Sequence, residues 1–178
     1  MKILHISDTH TNHDKINIPS DIDLIIHSGD FSNKKDPFRN ESEAHSFLDW
    51  FSSLDVKHKI LVAGNHDTSI QARLITPKEI ENRGIIYLEN ASVKIEGLLI
   101  WGSPYTPLYG KWAFMKAEQE LAPIWETIPD DVDIVITHSP PQGMLDLTFD
   151  SDNNGTPYYR LCGSESLADR IDEVKPAL

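Results

Sequence analysis

Six side chains that can bind a metal ion follow directly after short apolar runs in this sequence. The runs are rich in Ile, Leu and Val and lie within residues 2–7, 23–29, 59–64 and 133–137. The side chains that follow them are Asp8, His10, Asp30, Asn65, His66 and His138. One such residue alone is typical of a turn or a solvated surface. Because residue types that suit a metal recur after four apolar runs, the pattern predicts a metal site.

The local spacing around these side chains also suits metal binding. Asp8 and His10 are two residues apart, so both can turn toward one ion as the chain leaves its strand. A glycine precedes Asp30 and another precedes Asn65, where it permits unusual backbone dihedral angles and a close approach to the backbone. Carboxylate, amide carbonyl and neutral imidazole form a mixed donor set suited to Mn, Fe or Zn. Cys162 is distant from these motifs in the sequence, so no thiolate ligand is expected.

The four apolar runs predict the elements that must position these ligands. Runs this short and this apolar are typical of strands buried on both faces of a parallel sheet. Open α/β sheets bind their ligands just beyond the carboxyl ends of such strands. We therefore expect the strands ending at Asp8, Asp30 and Asn65 to be parallel neighbours in one sheet. The strand ending at His138 is expected in a sheet packed against it.

Periodicity, capping and turn signals predict the remaining elements. Helical spacing of apolar residues predicts a helix over 41–53, and Thr76 is a plausible N-cap for a short helix over 77–82. Glu96 and Gly97 predict the turn of a β-hairpin. The other predicted elements are a strand at 85–88, a helix at 111–126, a polar loop at 140–158 and a helix capped by Ser164 that runs to about Val174.

Other histidines and the tryptophans have simpler interpretations. His5 and His27 lie within strands and are interpreted as hydrogen-bonded core or interface residues. His13 can line the mouth of the site, but a loop role is favoured. The aromatic residues interpreted as core are Trp50, Phe51, Trp112 and Trp125.

Composition limits the class of protein. The length of 178 residues predicts a single domain over 1–178 with a substantial core. The single cysteine fits a reducing compartment, so a cytoplasmic location is expected, and no apolar stretch predicts a membrane span. The net charge of −12 argues against sequence-blind binding to nucleic acid without excluding a phosphorylated substrate.

The ordered motifs resemble those of the calcineurin-like metallophosphoesterases. The matching stretches are Asp8-Thr-His10, Gly29-Asp30, Gly64-Asn-His-Asp67 and His138. The sequence is most similar to the branch of metallophosphoesterase-domain-containing proteins, through Gly29-Asp-Phe31, Trp101-Gly-Ser-Pro104, Thr137-His-Ser-Pro-Pro141, Cys162-Gly163 and Lys175-Pro176. The resemblance implies an α/β fold, arranged as a four-layer α/β/β/α sandwich. It also implies that the site binds two divalent metal ions, with Mn favoured over Fe or Zn.

The resemblance also implies a role for each residue. Asp8 and His10 would hold the first metal, Asp30 would bridge both, and the second would be held by Asn65 and His138. His66 would stay off the metals as proton donor or transition-state stabiliser, oriented by Asp67. The implied reaction is hydrolysis of a small phosphoester, most simply a phosphodiester, by a hydroxide activated by two metals.

One motif of the family is missing. A closing GHxH, expected shortly after Lys175-Pro-Ala-Leu178, is absent, so the resemblance implies a domain that is truncated at its C-terminal end. Weak metal binding is then expected because each metal would lack one histidine, and self-association is expected because a core strand would be lacking. The alternative is a phosphoesterase fold that serves as a binding or scaffold module. A nuclease is disfavoured by the acidic charge. The sequence leaves open cyclic nucleotides, other phosphodiesters and phosphomonoesters.

Overall fold

The computed structural model describes residues 1–151 and 154–178 as a mixed α/β fold built on two principal sheets. The first sheet has four parallel strands in the order β1-β2-β3-β4. The second has three strands in the order β5-β6-β9, with β5 antiparallel and β9 parallel to β6. The strands of these two sheets are β1 (Ile3–Ile6), β2 (Leu24–His27), β3 (His58–Leu61), β4 (Ile86–Tyr87), β5 (Ala91–Ile95), β6 (Leu98–Ser103) and β9 (Ile134–Thr137).

Two smaller strand pairs and five helices complete the described part of the chain. The strand pairs are β7 (Thr106–Pro107) with β8 (Met115–Lys116) and β10 (Leu147–Ser151) with β11 (Pro157–Leu161). The helices are α1 (Pro37–Ser53), α2 (Thr68–Gln71), α3 (Pro77–Glu81), α4 (Glu118–Trp125) and α5 (Glu165–Val174), with a short 3-10 turn at His13–Lys15. None of the helices in the described residues is long and apolar enough to cross a membrane.

Three apolar clusters hold these elements together. The first joins the apolar face of α1, including Phe47 and Leu48, to one face of the parallel sheet. The second lies between the two sheets, where Ile26 of β2 and Ile136 of β9 are both buried. The third packs α4 and α5 against β6 around Trp101. The two sheets are therefore packed face to face, with helices on their outer faces.

The predicted arrangement of the site-bearing strands is confirmed. β1, β2 and β3 are parallel neighbours in one sheet, and β9 belongs to the sheet packed against it. The predicted burial on both faces holds for β2, whose four residues are all buried, but is wrong for β1. In the described part of the chain β1 is an edge strand paired with β2. His5 is exposed and hydrogen-bonded to Ser28, so it is not a core residue.

Capping residues predict the starts of two helices correctly, whereas the secondary structure predicted for two other regions is wrong. Thr76 forms a capping box with Glu79, and the hydroxyl of Ser164 accepts a hydrogen bond from Leu167 N–H at the start of α5. The helix predicted over 111–126 begins only at Glu118, because the preceding residues form β8 and a loop. The predicted polar loop over 140–158 contains β10 and the start of β11, while its residues 152 and 153 lie outside the described residues.

His27 is a fully buried histidine that should make stability depend on pH. Its Nδ1 accepts a hydrogen bond from Gly29 N–H and its Nε2 donates to the Thr9 hydroxyl, so the neutral ring satisfies both partners. Burial, above all, lowers the pKa of His27 to about 3, with a smaller lowering by His138. The unfolded chain, with a pKa near 6.5, therefore binds more protons than the folded chain between these two values.

We expect the free energy of unfolding to fall by about 2 kcal/mol between pH 7 and pH 5 through this one group. Urea unfolding at the two pH values measures this decrease in the free energy of unfolding. In His27→Gln the decrease should be smaller by about 2 kcal/mol. His45→Gln, on the half-exposed side of α1, is the control and should keep the full fall. An unchanged pH dependence in His27→Gln would contradict the assignment.

Candidate metal centre

The structure brings the six predicted metal-site side chains together at one edge of the two sheets. Asp8 and His10 follow β1, Asp30 follows β2, and Asn65 and His66 follow β3. His138 directly follows β9 of the opposing sheet. The imidazole of His138 nevertheless reaches the others, with Nε2 3.0 Å from Asn65 Oδ1. The carboxyl ends of parallel strands in two packed sheets thus form one cluster.

Asp30 lies at the centre of this cluster. Its carboxylate is 4% exposed, with Oδ1 3.3 Å from Nε2 of His138 and Oδ2 3.8 Å and 3.9 Å from Nε2 of His10 and His66. Two groups of three residues each offer ligand atoms that all lie within 4.8 Å of one another inside the group. One group is Asp8, Asp30 and His138, and the other is His10, Asp30 and His66. Asp30 belongs to both groups, which is the position expected for a bridging ligand.

Hydrogen bonds from the rings to backbone carbonyls orient the imidazoles toward Asp30. Nδ1 of His138 donates to Ser28 O at 2.9 Å, and Nδ1 of His10 donates to Ser32 O at 3.1 Å. These bonds leave Nε2 of each ring facing the carboxylate, the arrangement in which histidine binds metals. Nδ1 of His66 is 3.4 Å from Asn33 O, which is a weaker contact.

Unusual backbone conformations place these ligands. Asp8, His10 and Asp30 have φ values of 53°, 41° and 58°, in the left-handed region that non-glycine residues seldom occupy. Such backbone strain clusters at functional sites, where the surrounding structure must hold it. Gly64 is required for a different reason, since an added Cβ would lie 2.5 Å from Asp30 N and 2.8 Å from His138 Cε1. The prediction that glycine allows close approach here is therefore confirmed.

The electrostatics of the cluster favour a negative Asp30 with positive charge beside it. Burial would raise the pKa of Asp30, but the hydrogen bond and charge of His138, with the N–H of His66, hold it below its ordinary value. Burial would lower the pKa of His138, but Asp30 raises it to about 9. A divalent cation would satisfy the same carboxylate and would displace the proton from the imidazole.

Asp67 lies behind the cluster and ties its loops together. Its fully buried carboxylate accepts hydrogen bonds from the N–H groups of Asp30 (2.9 Å), Gly64 (2.7 Å) and Ser32 (3.1 Å), and from the Ser32 hydroxyl (2.6 Å). Burial and the charge of Asp30 raise the pKa of Asp67 to about 7, against these hydrogen bonds. The carboxylate thus contacts the backbone that carries Asp30, and these partners do not include the His66 ring.

Trp112 borders the cluster of metal-site side chains and forms one wall of the space beside it, which we call the cleft. The sequence pattern predicts this residue in the core. Trp112 is half-buried and stacks on His66, with ring centroids 4.1 Å apart and planes 26° apart. It was missed because residues 111–126 were interpreted as one helix, whereas α4 begins at Glu118. The acidic pair Glu118 and Glu120, which is typical of a first helical turn, was the signal that could have placed the helix start.

The other wall comes from the hairpin of β10 and β11. A cavity of about 270 Å³ lies there beside Asn65, and its lining includes Tyr109, Arg160 and Cys162. Cys162 is distant in sequence but shares this cavity with Asn65, because the hairpin folds back over the site. Burial, first of all, raises the pKa of the Cys162 thiol, and its Sγ donates to Asp146 O. Distance in the sequence is therefore not a sound reason to separate Cys162 from the site.

The residues of the cluster fit a divalent cation. Carboxylate, amide and imidazole groups converge, and each of these groups is an accepted ligand of Mn, Fe or Zn. The side-chain nitrogen of Asn65 is buried and has no hydrogen-bond partner among the described residues, while its oxygen faces His138. The Asn65 side chain therefore places its oxygen in the cluster, while its nitrogen makes no hydrogen bond to the described residues.

Comparison with known proteins agrees with this site. The model of the calcineurin-like phosphoesterase family matches residues 1–173. Human metallophosphoesterase domain-containing protein 1 is 37% identical over 164 residues, which cover 79% of this chain and 49% of that protein. A probable rhamnogalacturonate lyase C of Emericella nidulans is 34% identical over 157 residues, covering 83% of this chain but 14% of that protein. A UPF0046 protein of Caenorhabditis elegans is 28% identical over 197 residues, covering 99% of this chain and 61% of that protein.

The chain belongs to the calcineurin-like phosphoesterase family. Its similarity to metallophosphoesterase domain-containing protein 1 confirms the predicted branch of that family. The chain spans about half the length of that relative (49%). Family membership and the two groups of potential ligands together support a metal-dependent phosphoesterase.

Replacement of Asp30 by Asn should strongly weaken metal binding. The change removes the one carboxylate shared by both ligand groups, so Mn²⁺ binding measured by calorimetry should weaken by at least about a hundredfold, as expected for a lost charged ligand. Asp55→Asn removes an exposed carboxylate and should bind Mn²⁺ as the unaltered chain does. Unweakened binding by Asp30→Asn would show that the cluster is not the metal site.

Proposed function

We propose that this chain is a metal-dependent phosphodiesterase that uses two divalent cations, with Mn favoured. Asp8 and His10 would hold the first ion, Asn65 and His138 would hold the second, and Asp30 would be shared between them. The observation that carries this proposal is that Asp30 belongs to both groups of potential ligands. Those groups pair Asp8 with His138 and His10 with His66, so the assignment of each remaining ligand to one ion follows the family resemblance rather than these distances. When bound, the two ions would stabilise charge on the transferring phosphoryl group and lower the pKa of an attacking water.

The protein itself contributes a fixed arrangement of ligands. The backbone carbonyls of Ser28 and Ser32 hold the rings of His138 and His10, so the ligand atoms need little reorganisation when an ion binds. Asp67 serves as a positioning residue, because its carboxylate joins the loop of Asp30 to the loop of Gly64. A fixed arrangement of this kind places a phosphoester in line with its attacking group.

His66 is proposed to donate the proton that the leaving alcohol needs. Its Nε2 is 3.9 Å from Asp30 Oδ2, almost the same distance as Nε2 of His10 at 3.8 Å, so the separate role of His66 rests on the family resemblance. The backbone N–H of His66 donates to Asp30 Oδ1 at 2.7 Å, which couples the position of this residue to that of the carboxylate. Donation to the leaving oxygen is worth about 10²–10⁴-fold in rate.

A small phosphodiester is the favoured substrate. The 270 Å³ cavity beside Asn65 offers space for a second ester group, and Arg160 lines it with a positively charged side chain. A phosphomonoester would leave that space unused. The net charge of −12 disfavours a long polyanion such as nucleic acid.

A panel of phosphoesters tests the proposal directly. The metal-free chain should hydrolyse none of them, and added Mn²⁺ should restore hydrolysis of bis(p-nitrophenyl) phosphate in preference to p-nitrophenyl phosphate. Preference for the monoester would replace the phosphodiesterase by a phosphomonoesterase. Tight Mn²⁺ binding without hydrolysis of any ester would favour the binding or scaffold module instead.

His66→Ala should separate metal binding from turnover. We expect Mn²⁺ affinity within about threefold of the unaltered chain, and hydrolysis of an unactivated phenyl diester slower by about 10²–10⁴-fold. His45→Ala, which removes an imidazole from the surface of α1, is the control and should change neither. Equal loss of metal in His66→Ala and Asp30→Asn would assign His66 to the ligand set.

A further inference from the structure

His66 differs from the other two imidazoles of the centre in how its ring is held. His138 and His10 donate from Nδ1 to backbone carbonyls at 2.9 Å and 3.1 Å. The corresponding contact of His66, to Asn33 O, is 3.4 Å long and is the weakest of the three. A ring with so weak an anchor needs another contact to keep Nε2 directed into the cleft.

Trp112 supplies that contact. Its indole stacks on the His66 ring at 4.1 Å and 26°, while His10 meets the same ring edge-on at 4.8 Å and 79°. The imidazole is thus confined between a flat surface and an edge. Offset stacking of this kind is favourable beyond the area it buries and favours one orientation of the ring.

The loop that carries Trp112 is itself attached to the centre. The N–H of Ala113, the next residue, donates to the carbonyl of the metal-ligand candidate Asn65 at 3.0 Å. Phe114 is buried, and its carbonyl accepts a hydrogen bond from Thr106 N–H at 2.9 Å, beside the β7–β8 pair. The Nζ of Lys35 lies 4.6 Å from the centroid of the indole. Trp112 is therefore held against His66 from several sides.

We propose that Trp112 is a positioning residue for the proton-donating ring of His66. This inference rests on the proposed function for its catalytic consequence, although the stacking itself does not depend on activity. Removal of the indole leaves the His66 ring with its long contact to Asn33 and the edge of His10, so the ring is no longer fixed in one orientation. Trp112→Phe keeps a flat ring and should retain most of the effect.

The first test uses the metal-free protein and NMR. Ring current from the indole should shift the His66 ring protons upfield, and the His66→Gln spectrum identifies these signals by their loss. In Trp112→Ala they should move downfield toward those of the half-exposed His45 ring, and in Trp112→Phe they should stay partly shifted. Unmoved His66 signals in a folded Trp112→Ala would overturn the proposal, whatever the activity of the chain.

The second test measures the effect on different leaving groups. With Mn²⁺ bound, Trp112→Ala should slow hydrolysis of a phenyl diester by about tenfold, because its leaving group needs a proton. This loss is smaller than the loss of about 10²–10⁴-fold expected when His66 itself is removed. A p-nitrophenyl diester leaves without a proton and should be hydrolysed within about twofold of the original rate. Trp112→Phe should restore the phenyl diester rate, and Tyr159→Ala, an aromatic removal on the outer side of β11, should change neither rate.

A double variant separates positioning from other roles of the indole. Trp112→Ala combined with His66→Ala should be no slower than His66→Ala alone, because the indole acts only through that ring. Additive losses would overturn the proposal. So would a raised KM for both diesters with unchanged kcat, which would make Trp112 a substrate-stacking surface instead. Absence of hydrolysis in the unaltered chain would remove the proposed function, while the NMR result would still decide the stacking.

Discussion

The buried negative charge of Asp30 is the constraint on which the rest of the centre depends. A carboxylate that is 4% exposed cannot remain ionised unless positive charge or hydrogen-bond donors surround it. The donors here are the N–H of His66 and the imidazole of His138, which arrives from the opposite sheet. Neutralisation of this single charge thus links the two sheets at one edge, and the same charge suits a divalent cation.

A buried polar network supports that charge from behind. Asn40, in the first turns of α1, is fully buried and donates to the carbonyls of Lys34 and His66 and to the Ser32 hydroxyl. Asp67 binds the same Ser32 and the N–H of Asp30. Because nearly every polar atom of this network has a partner, it specifies one loop geometry and keeps the left-handed conformations in place. The helix is therefore part of the site although it supplies no ligand.

Two walls border the metal-site cluster on different sides. The Trp112 wall contacts His66, whereas the hairpin wall lines the cavity beside Asn65. The outward side of the hairpin is strongly apolar and exposed, at Leu147, Phe149, Tyr159 and Leu161. Its inward side carries Thr148 and Arg160. Period-2 alternation along the strands separates these two sides.

The sequence by itself determined the strands that bear the site, the ligand types at their ends and the family, because those features are local. Apolar runs, strand-end carboxylates and capping residues such as Thr76 and Ser164 have physical consequences within a few residues. Three features depend on tertiary packing: β1 is an edge strand, Trp112 stacks on His66 instead of lying in the core, and Cys162 shares a cavity with Asn65. These are contacts between segments distant in the chain, and they depend on how sheets pack and loops fold back, which no local pattern encodes.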